Sequence, residues 1–434
     1  MLKRKIEAEI KTWYDIKPKH NALLVMGARQ VGKTFSIRRF AKKHYKSVIE
    51  INFERTPSLR SLFEGDLDGK TLYERLSAAG LGTLIPGQTL LFLDEIQACP
   101  RARTALKFFV EDGRLEVIAS GSLLGIHFKE EVPSHPVGYE YRLDMHSLDF
   151  EEFLWAMGIG ESTIEQVRNN FENRTAVDPF IHKRLLELFQ RYMIVGGMPR
   201  VVDIYTKDQN IQDVIIEQRN IVGGYKDDIL KYAGNLQLEV ARVFDSIPAH
   251  LMERNKRFIM AHVEKDARFR DFKDALAWLR SARVAEFCFN VSAPAIPMSL
   301  NAKNNIFKFF MRDTGLLCQM SLGNVQQAIL AGDLEINLGS IIENTIADLL
   351  VKRGHKLYYY DIKGRLEIDF LITRNFNVLP IEVKGGKDFK NHHSLDKLLE
   401  NPAFSIDEGI VLCRENVEQV EKIIYLPLYM VMFL

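Results

Sequence analysis

Short apolar runs alternate with amphipathic stretches over the first 120 residues of the chain. Four of these runs predict buried strands, because they are apolar at successive positions and bounded by turn residues. They read ALLVMG, VIEINFE, TLLFLD and LEVIAS. The stretches between them have the spacing of helices. This alternation predicts a parallel sheet with helices on both faces.

A glycine-rich loop separates the first of these strands from the helix that follows. In order, its residues are Gly27, Ala28, Arg29, Gln30, Val31, Gly32, Lys33 and Thr34. Gly27 and Gly32 permit a tight turn that points backbone N–H groups at phosphate, and the helix N-terminus adds partial positive charge. Lys33 would then reach the β- and γ-phosphates of ATP, and Thr34 would ligate Mg²⁺.

Two acids, Asp94 and Glu95, end the run TLLFLD about sixty residues after the loop. We expect their strand to lie beside the loop strand, which would place Asp94 near the magnesium and Glu95 near the attacking water. Ser120 and Ser122 end the next strand, where each is suited either to sensing the γ-phosphate or to capping the strand. Together these residues indicate an ATPase with Mg²⁺ as cofactor.

The middle of the chain has helical periodicity from Ile181, broken at Gly196, Gly197 and Pro199. The paired glycines predict a tight turn between helices. Residues 242–292 then change to a helix, a loop, a second helix and a strand pair, which is the outline of a winged helix.

This winged-helix region is basic, with nine basic against five acidic residues over 253–283, an excess of four. The basic residues are Arg254, Lys256, Arg257, Lys265, Arg268, Arg270, Lys273, Arg280 and Arg283. A basic helix in this fold can enter the major groove of DNA. A packing module with solvated charges has the same composition, so both interpretations stay open.

The pattern in the last part of the chain predicts a helix, three strands and a helix. Acidic residues lie on the first helix and on the second and third strands. Glu343 lies on the first helix, Asp369 on the second strand and Glu382 on the third. Lys384 follows Glu382 by two residues and therefore shares its face of the strand. Glu367 shares a face with Asp369 by the same alternation and is a further candidate.

These residue types suit metal-dependent phosphodiester hydrolysis. Asp369 and Glu382 would share a cation such as Mg²⁺, with the Val383 carbonyl as a further ligand and Glu343 completing the shell. The metal would lower the pKa of a bound water, and Lys384 would orient that water and offset charge in the transition state.

Several motifs resemble a widespread group of prokaryotic AAA-type ATPases whose C-terminal half is a domain of unknown function with a nuclease-like fold. They are the glycine loop, LLFLDEIQ, ASGS, DFEEFLWAMG, YMIVGGMPRVV, YKDDILKY, FFMRDTGLL, IIENTIADLL and the pair IDFLI and IEVKGG. The region from Glu343 to Lys384 also resembles the core of the PD-(D/E)xK nucleases. Members of that superfamily often keep the fold and bind nucleic acid without cutting it.

The chain departs from this family at two places. Residues 146–150 read His-Ser-Leu-Asp-Phe, where the family commonly has Pro-Leu-Ser-Phe. Tyr139 follows Gly138, where the family often has a basic residue. If that residue helps to neutralise a neighbour's γ-phosphate, the role is vacant here, and Arg142 is a candidate replacement.

Composition narrows the class of protein without choosing a function. The 434 residues are 47% hydrophobic and 26% charged with a net charge of +1, so nothing global draws the chain to nucleic acid or membrane. The cysteines predict buried thiols in a reducing compartment; they are Cys99, Cys288, Cys318 and Cys413. The start lacks the apolar core of a signal peptide, and the tail IIYLPLYMVMFL is too short to span a bilayer and predicts a buried closing strand. We therefore expect a cytoplasmic protein.

The patterns together predict an α/β multidomain chain with four parts. They are a P-loop ATPase domain at 1–160, a helical linker at 161–235, a winged-helix-like domain at 236–320 and a restriction-endonuclease-like αβββα domain at 321–434. The predicted function couples an ATP-driven switch to a metal-dependent nuclease-like domain acting on DNA. The alternative is a nucleotide-switched interaction or DNA-binding regulator with an inactive nuclease fold. ATP and DNA are the expected partners, a homo-oligomer is possible, and no membrane is expected.

Overall fold

The computed structural model of the protein describes residues 2–16, 21–122, 138–253, 256–322, 326, 339–362 and 365–434. The chain divides into two compact units. The first unit comprises Arg4–Ser147 with Leu230–Gly234, and the second comprises Met1–Lys3, Leu148–Ile229 and Asn235–Leu434. Arg254 of the predicted basic region, and most of 323–338 at the start of the predicted C-terminal domain, lie outside the described residues.

A five-stranded parallel sheet forms the centre of the first unit. Its strands are β1 (Ala22–Met26), β2 (Ser47–Asn52), β3 (Thr89–Asp94), β4 (Glu116–Gly121) and β5 (Glu140–Asp144). They lie in the order β2-β3-β4-β1-β5, and each neighbouring pair is parallel. The four predicted strands are present. The fifth was not predicted, because its sequence EYRLD is mostly charged or polar and lacks an apolar run.

Helices accompany this sheet as expected for an α/β fold. They are α1 (Ile6–Asp15), α2 (Lys33–His44), α3 (Gly69–Ala78) and α4 (Pro100–Asp112), with 3₁₀ turns at Pro57–Phe63 and Ile96–Ala98. Leu24 and Leu91 pack in one core with residues of α3 and α4. Leu23 and Phe92, which alternate with them, point to the opposite face and are also buried. Both faces of the sheet are therefore covered.

The strand that ends in Asp94 does not lie beside the loop strand. Strand β4 pairs with both β1 and β3 and separates them. The prediction that these two strands are neighbours is therefore wrong, because strand order is set by packing between distant segments. Parallel strands still end at the same edge of the sheet, which keeps Asp94 within reach of the loop.

The second unit contains most of the helices. They are α5 (Phe150–Ala156), α6 (Glu161–Asn173), α7 (Pro179–Val195), α8 (Pro199–Asp208), α9 (Ile211–Tyr232, whose last residues belong to the first unit), α10 (Gln237–Met252), α11 (Met260–Val263), α12 (Phe269–Ser281), α13 (Met298–Asn301), α14 (Thr314–Leu322), α15 (Gly339–Lys352) and α16 (His393–Leu399).

An eight-stranded mixed sheet runs through the second unit. Its strands are β6 (Ala285–Val291), β7 (Ala302–Met311), β8 (Leu357–Asp361), β9 (Glu367–Arg374), β10 (Asn377–Val383), β11 (Gly409–Cys413), β12 (Glu418–Val420) and β13 (Ile423–Pro427). Their order is β12-β13-β11-β10-β9-β8-β6-β7. The β6–β7, β8–β9, β9–β10 and β12–β13 pairs are antiparallel, and the others are parallel.

The predicted winged-helix strand pair shares this sheet with the C-terminal strands. The expected helices are present as α10 and α12, but the segment predicted as a strand pair forms the single strand β6, whose antiparallel partner β7 follows it in the chain. However, β6 also pairs in parallel with β8, so the pair is not a free wing. The order helix, three strands, helix is present as α15, β8, β9, β10 and α16. The winged-helix and nuclease identities of these elements stay predictions.

The apolar tail is buried but is only partly a strand. Strand β13 ends at Pro427, and Leu428–Phe433 form a 3₁₀ helix in which all six residues are buried. The predicted closing strand is therefore correct only as far as Pro427. Among the described residues, no helix combines the length and the apolar character that crossing a bilayer requires.

The turn at Gly196 and Gly197 is a point of close backbone approach. Gly196 ends α7 with a φ of 75°. A Cβ on Gly197 would lie 2.0 Å from the carbonyl oxygen of Leu148. The Leu148 N–H donates to the Gly197 carbonyl at 2.7 Å, and the Leu148 carbonyl accepts from Tyr192 and Lys352 at 2.8 and 3.1 Å. The glycine pair is thus required by packing.

We expect Gly197→Ala to lower the free energy of unfolding by roughly 2 kcal/mol or more, because its methyl group would force the Leu148 backbone away. Gly223→Ala is the matched control, since Gly223 lies within α9 with open space where a Cβ would be. That change should raise stability by about 0.5–1 kcal/mol. Urea denaturation of both variants checks this, and equal midpoints would contradict it.

Candidate functional site

The glycine loop joins the end of β1 to the start of α2, and two residues in it have left-handed backbone. Gln30 has a φ of 65° and Gly32 a φ of 96°. Lys33 is the first residue of α2, so the helix N-terminus faces the loop. Gly27 has no room for a side chain, because a Cβ would lie 2.2 Å from the Met145 carbonyl oxygen. This geometry suits phosphate binding by backbone N–H groups.

The lysine of the loop lies folded over it. Lys33 Nζ donates to the carbonyl oxygens of Gly27 and Ala28 at 3.0 and 2.9 Å, and its side chain is buried. Arg29 and Gln30 are exposed at the tip of the loop. The ammonium group is thus held among backbone oxygens at the position where the motif places the phosphates.

An arginine before α1 supports the same loop. Arg4 is buried and donates to the carbonyl oxygens of Val31 and His146 at 2.9 and 2.6 Å. Sequence reasoning missed this residue. Its signal was weak, because a basic residue at the start of an amphipathic helix is ordinarily solvated.

The acid of β3 is the centre of a hydrogen-bond group at the edge of the sheet. Asp94 is only 2% exposed and accepts from the Thr34 hydroxyl at 3.1 Å and from Asn52 Nδ2 at 2.9 Å. Its other oxygen accepts from the Ser120 hydroxyl. Thr34, Asp94 and Ser120 are therefore brought together. Asn52 was missed, although its position at the end of the strand VIEIN was a usable signal.

The oxygens of this group fit a magnesium ion. A carboxylate and a hydroxyl that already lie 3.1 Å apart are the hard oxygen ligands that Mg²⁺ prefers beside a bound phosphate. The adjacent Glu95 has a left-handed φ of 53° and accepts from Gln97 Nε2 at 2.6 Å. Glu95 therefore follows the candidate metal ligand Asp94 in the chain, and its carboxylate is held by an amide.

Tyr139, where the chain departs from the family, and Arg142, the candidate replacement, are both engaged elsewhere. The Tyr139 hydroxyl donates to Glu111 at 2.8 Å, and Arg142 pairs with Glu140 at 2.9 Å. Ser122 is buried near the end of β4.

In the second unit, Glu343 lies in an acid–lysine cluster with Glu367, Lys256 and Lys308. Lys308 Nζ lies 3.0 Å from Glu343 and 3.2 Å from Glu367, and Lys256 pairs with the other oxygen of Glu343. Burial would raise the pKa of Glu343, but the two ammonium groups outweigh it and lower that pKa. Glu343 is therefore held as an anion by protein cations.

Asp369, which is partly buried, and Glu382, which is buried, form a carboxylate pair beside this cluster. Asp369 accepts from the Val383 N–H at 2.8 Å, and burial and the nearby Glu343 raise its pKa. One oxygen of Glu382 lies 3.0 Å from Lys384 Nζ, and the other is buried without a hydrogen-bond partner among the described residues. Burial and the Asp369 charge raise the pKa of Glu382 to about 8.

This pair fits a cation only in part. Asp369 and Glu382 supply oxygen ligands, and the unpartnered oxygen of Glu382 is where positive charge would stabilise the site. Glu343, which we predicted as a third ligand, is already neutralised. Among the described residues, no group of three His, Cys, Asp or Glu side chains is arranged to hold a metal ion.

Sequence reasoning missed the roles of both lysines in the cluster. Lys256 was counted with the basic residues of the winged-helix region, but it pairs with Glu343 and is not free to contact DNA. Lys308 lies in the strand run IFKFF and is only 1% exposed. Burial lowers the pKa of Lys308, yet Glu343, Asp369 and Glu367 raise it well above its usual value.

Comparison with known protein families assigns a described family to residues 19–154. The families that match later residues are domains of unknown function. Residues 19–154 match the family described as an AAA domain. Residues 186–327 and 338–431 match two domains of unknown function, DUF8612 and DUF4143. No curated protein matches the chain.

Solved structures give a more distant likeness. The ORC2 protein of Aeropyrum pernix, solved as ADPNP–ADP complexes, is 13% identical, with a TM-score of 0.35 over 75% of this chain and 93% of that chain. A likeness at this level carries no argument about function. The AAA match, the glycine loop and the parallel sheet together show that the amino-terminal part of the chain is a nucleotide-binding P-loop ATPase domain of the AAA class.

Proposed function

We propose that the chain is an ATP-hydrolysing switch that controls a metal-dependent phosphodiesterase site acting on DNA. The observation that supports the phosphodiesterase site is the carboxylate pair of Asp369 and Glu382, in which one oxygen of Glu382 is buried without a partner among the described residues. The two carboxylates repel one another, and both have raised pKa values. A site with these properties is stabilised by a bound cation.

At the nucleotide site, each residue has a role that its present contacts support. Lys33 exchanges its bonds to the loop carbonyls for bonds to the phosphates of ATP. Thr34 and Asp94 hold Mg²⁺, which neutralises charge on the phosphates when bound. Glu95 orients the attacking water. Gln97 holds the Glu95 carboxylate and thus limits its orientation.

At the carboxylate pair, Asp369 and Glu382 would hold the metal, and the Val383 carbonyl would be a further oxygen ligand. A bound Mg²⁺ would lower the pKa of a water to make a nucleophile. Lys384, which lies 3.0 Å from Glu382, orients the water and offsets negative charge on the phosphate. Glu343 and the two lysines that pair with it, Lys256 and Lys308, place fixed charges beside the carboxylate pair.

Helix α12 supports DNA as the substrate. Arg268, Arg270 and Lys273 are exposed at its start, and Lys273 has no ion pair among the described residues. Exposed cations on one helix neutralise phosphates in proteins that bind DNA. Asp271 and Asp274 on the same helix limit the net charge.

A second function is favoured by the acid–lysine cluster. Lys256 and Lys308 supply to Glu343 the positive charge that a metal would otherwise supply. A nuclease fold that has replaced its metal in this way would bind a partner without cutting. In that case the ATPase would switch an interaction module.

We expect Lys33→Ala to abolish ATP hydrolysis and to weaken ATP binding, because a phosphate-neutralising charge is lost. Glu95→Gln should keep ATP binding and lose turnover. Glu74→Gln, an exposed acid on α3, is the control and should hydrolyse ATP normally. Phosphate release and nucleotide titration measure both properties. Normal turnover in Glu95→Gln would remove Glu95 from its assigned role.

At the carboxylate pair, Asp369→Ala and Glu382→Ala should weaken Mn²⁺ binding and abolish DNA cleavage together. Lys384→Ala should still bind Mn²⁺ while cleavage falls by about 10²–10³-fold, since only an electrostatic contributor is lost. Lys387→Ala, an exposed neighbour, is the control. Calorimetry and cleavage assays separate these effects. If the wild type binds neither Mg²⁺ nor Mn²⁺ with DNA present, the result would contradict the nuclease proposal and support the second function, an interaction module.

The raised pKa of Glu382 predicts a pH dependence of stability in metal-free protein. Its folded pKa of about 8 lies above the value of about 4.3 for an unfolded glutamate, so between these values the folded state binds more protons. The free energy of unfolding should fall as pH rises through that window, by at most about 1.4 kcal/mol per pH unit for this proton. Glu382→Gln should flatten the fall, measured by urea denaturation in EDTA. An unchanged slope would show that Glu382 titrates normally.

A further inference from the structure

A cavity of about 220 Å³ opens in the second unit. Its lining contains no residue of the acid–lysine cluster or of the carboxylate pair. Residues of β6 and β8 line it, with the end of α12 and the segment around the start of β7. Its lining combines aromatic rings with basic side chains. Neither proposed function above uses it.

The aromatic part of the lining follows from strand alternation. Phe287 and Phe289 are two residues apart on β6 and so share one face of the sheet. Their rings are stacked, with centroids 5.0 Å apart and planes at 14°. Tyr358 of β8 is the strand partner of Phe289 and lines the same cavity. Phe289 is only partly buried, so its ring is available to a ligand.

The charged part of the lining is net positive. Lys356 is exposed and has no ion pair among the described residues. Arg280 is half exposed and lies 2.8 Å from Glu286, the one acid in the lining. Arg312 lies 3.7 Å from the other oxygen of Glu286, so that this acid is shared by two arginines. An anionic ligand therefore meets uncompensated positive charge.

The lining also contains neutral polar groups. Ser299 and Asn304 line the cavity with a hydroxyl and an amide. Such groups can both donate and accept hydrogen bonds, as the edges of nucleobases do. The lining thus offers a ring to stack on, neutral groups for a base edge and cations for phosphate.

We propose that this cavity binds an unpaired base of single-stranded nucleic acid, stacked on Phe289 with flanking phosphates on Lys356 and Arg280. A base within a duplex is stacked and paired, so it cannot enter without being extruded. Aromatic rings combined with basic side chains are the means by which proteins hold single strands. The inference rests on the proposed action on nucleic acid and adds the strand state of the ligand.

The test is binding of a labelled oligothymidylate of about 15 nucleotides by fluorescence anisotropy. Measurement in EDTA without ATP makes the result independent of cleavage and of the nucleotide switch. Phe289→Leu keeps an apolar side chain but removes the ring face, and it should weaken binding by about 5- to 100-fold. Lys356→Glu, at an exposed position, should weaken binding and reduce the log–log salt slope by about 0.7 or more.

Phe376→Leu is the matched control, because Phe376 is 94% exposed in the turn between β9 and β10 and does not line the cavity. It should bind like the wild type, and thermal melts should show all three variants folded. Equal affinity of Phe289→Leu and Phe376→Leu would overturn the cavity inference, while cleavage of duplex DNA would leave the proposed function standing. Tighter binding of a duplex of the same length than of the single strand would also overturn it.

Discussion

The centre of the second unit depends on one buried ion pair, between Lys308 of β7 and Glu343 of α15. The two residues are 1% and 2% exposed. Burying either charge alone costs several kcal/mol, and each charge is stabilised by the other at 3.0 Å. Lys256 adds a second cation to Glu343. The pair therefore requires β7 and α15 to pack together, and it joins a strand of the predicted winged helix to the helix of the predicted nuclease core.

The two candidate sites neutralise their acids in different ways. Asp94 is surrounded by the neutral donors Thr34, Asn52 and Ser120, which can turn toward other partners without leaving a charge unpaired. Glu343 is held by ammonium groups, which occupy the space and supply the charge that a cation would. The hydrogen bonds from Thr34, Asn52 and Ser120 to Asp94 thus come from neutral donors. At the carboxylate pair, one oxygen of Glu382 pairs with Lys384 and the other has no hydrogen-bond partner among the described residues.

Much of the local structure could be predicted because it depends on local pattern. The glycine loop, the strands that end in Asp94 and Ser120, and the order of elements around Glu382 follow from apolar runs, turn residues and alternation. Strand β5 escaped prediction because only one of its five residues, Leu143, is buried. The tail was assigned wholly to a strand because apolar content does not distinguish a strand from the buried 3₁₀ turn that follows Pro427.

The sequence by itself determined the residues of the phosphate loop, the acids at the ends of strands and the Glu382–Lys384 spacing. Each of these depends on neighbours within a few positions of the chain, where backbone geometry is fixed by residue type. Only the tertiary structure decided that β4 separates β1 from β3, that β6 pairs with β8, and that Lys256 and Lys308 neutralise Glu343. These features join residues 26 or more positions apart, and their free energy comes from burial and charge pairing that no local pattern encodes.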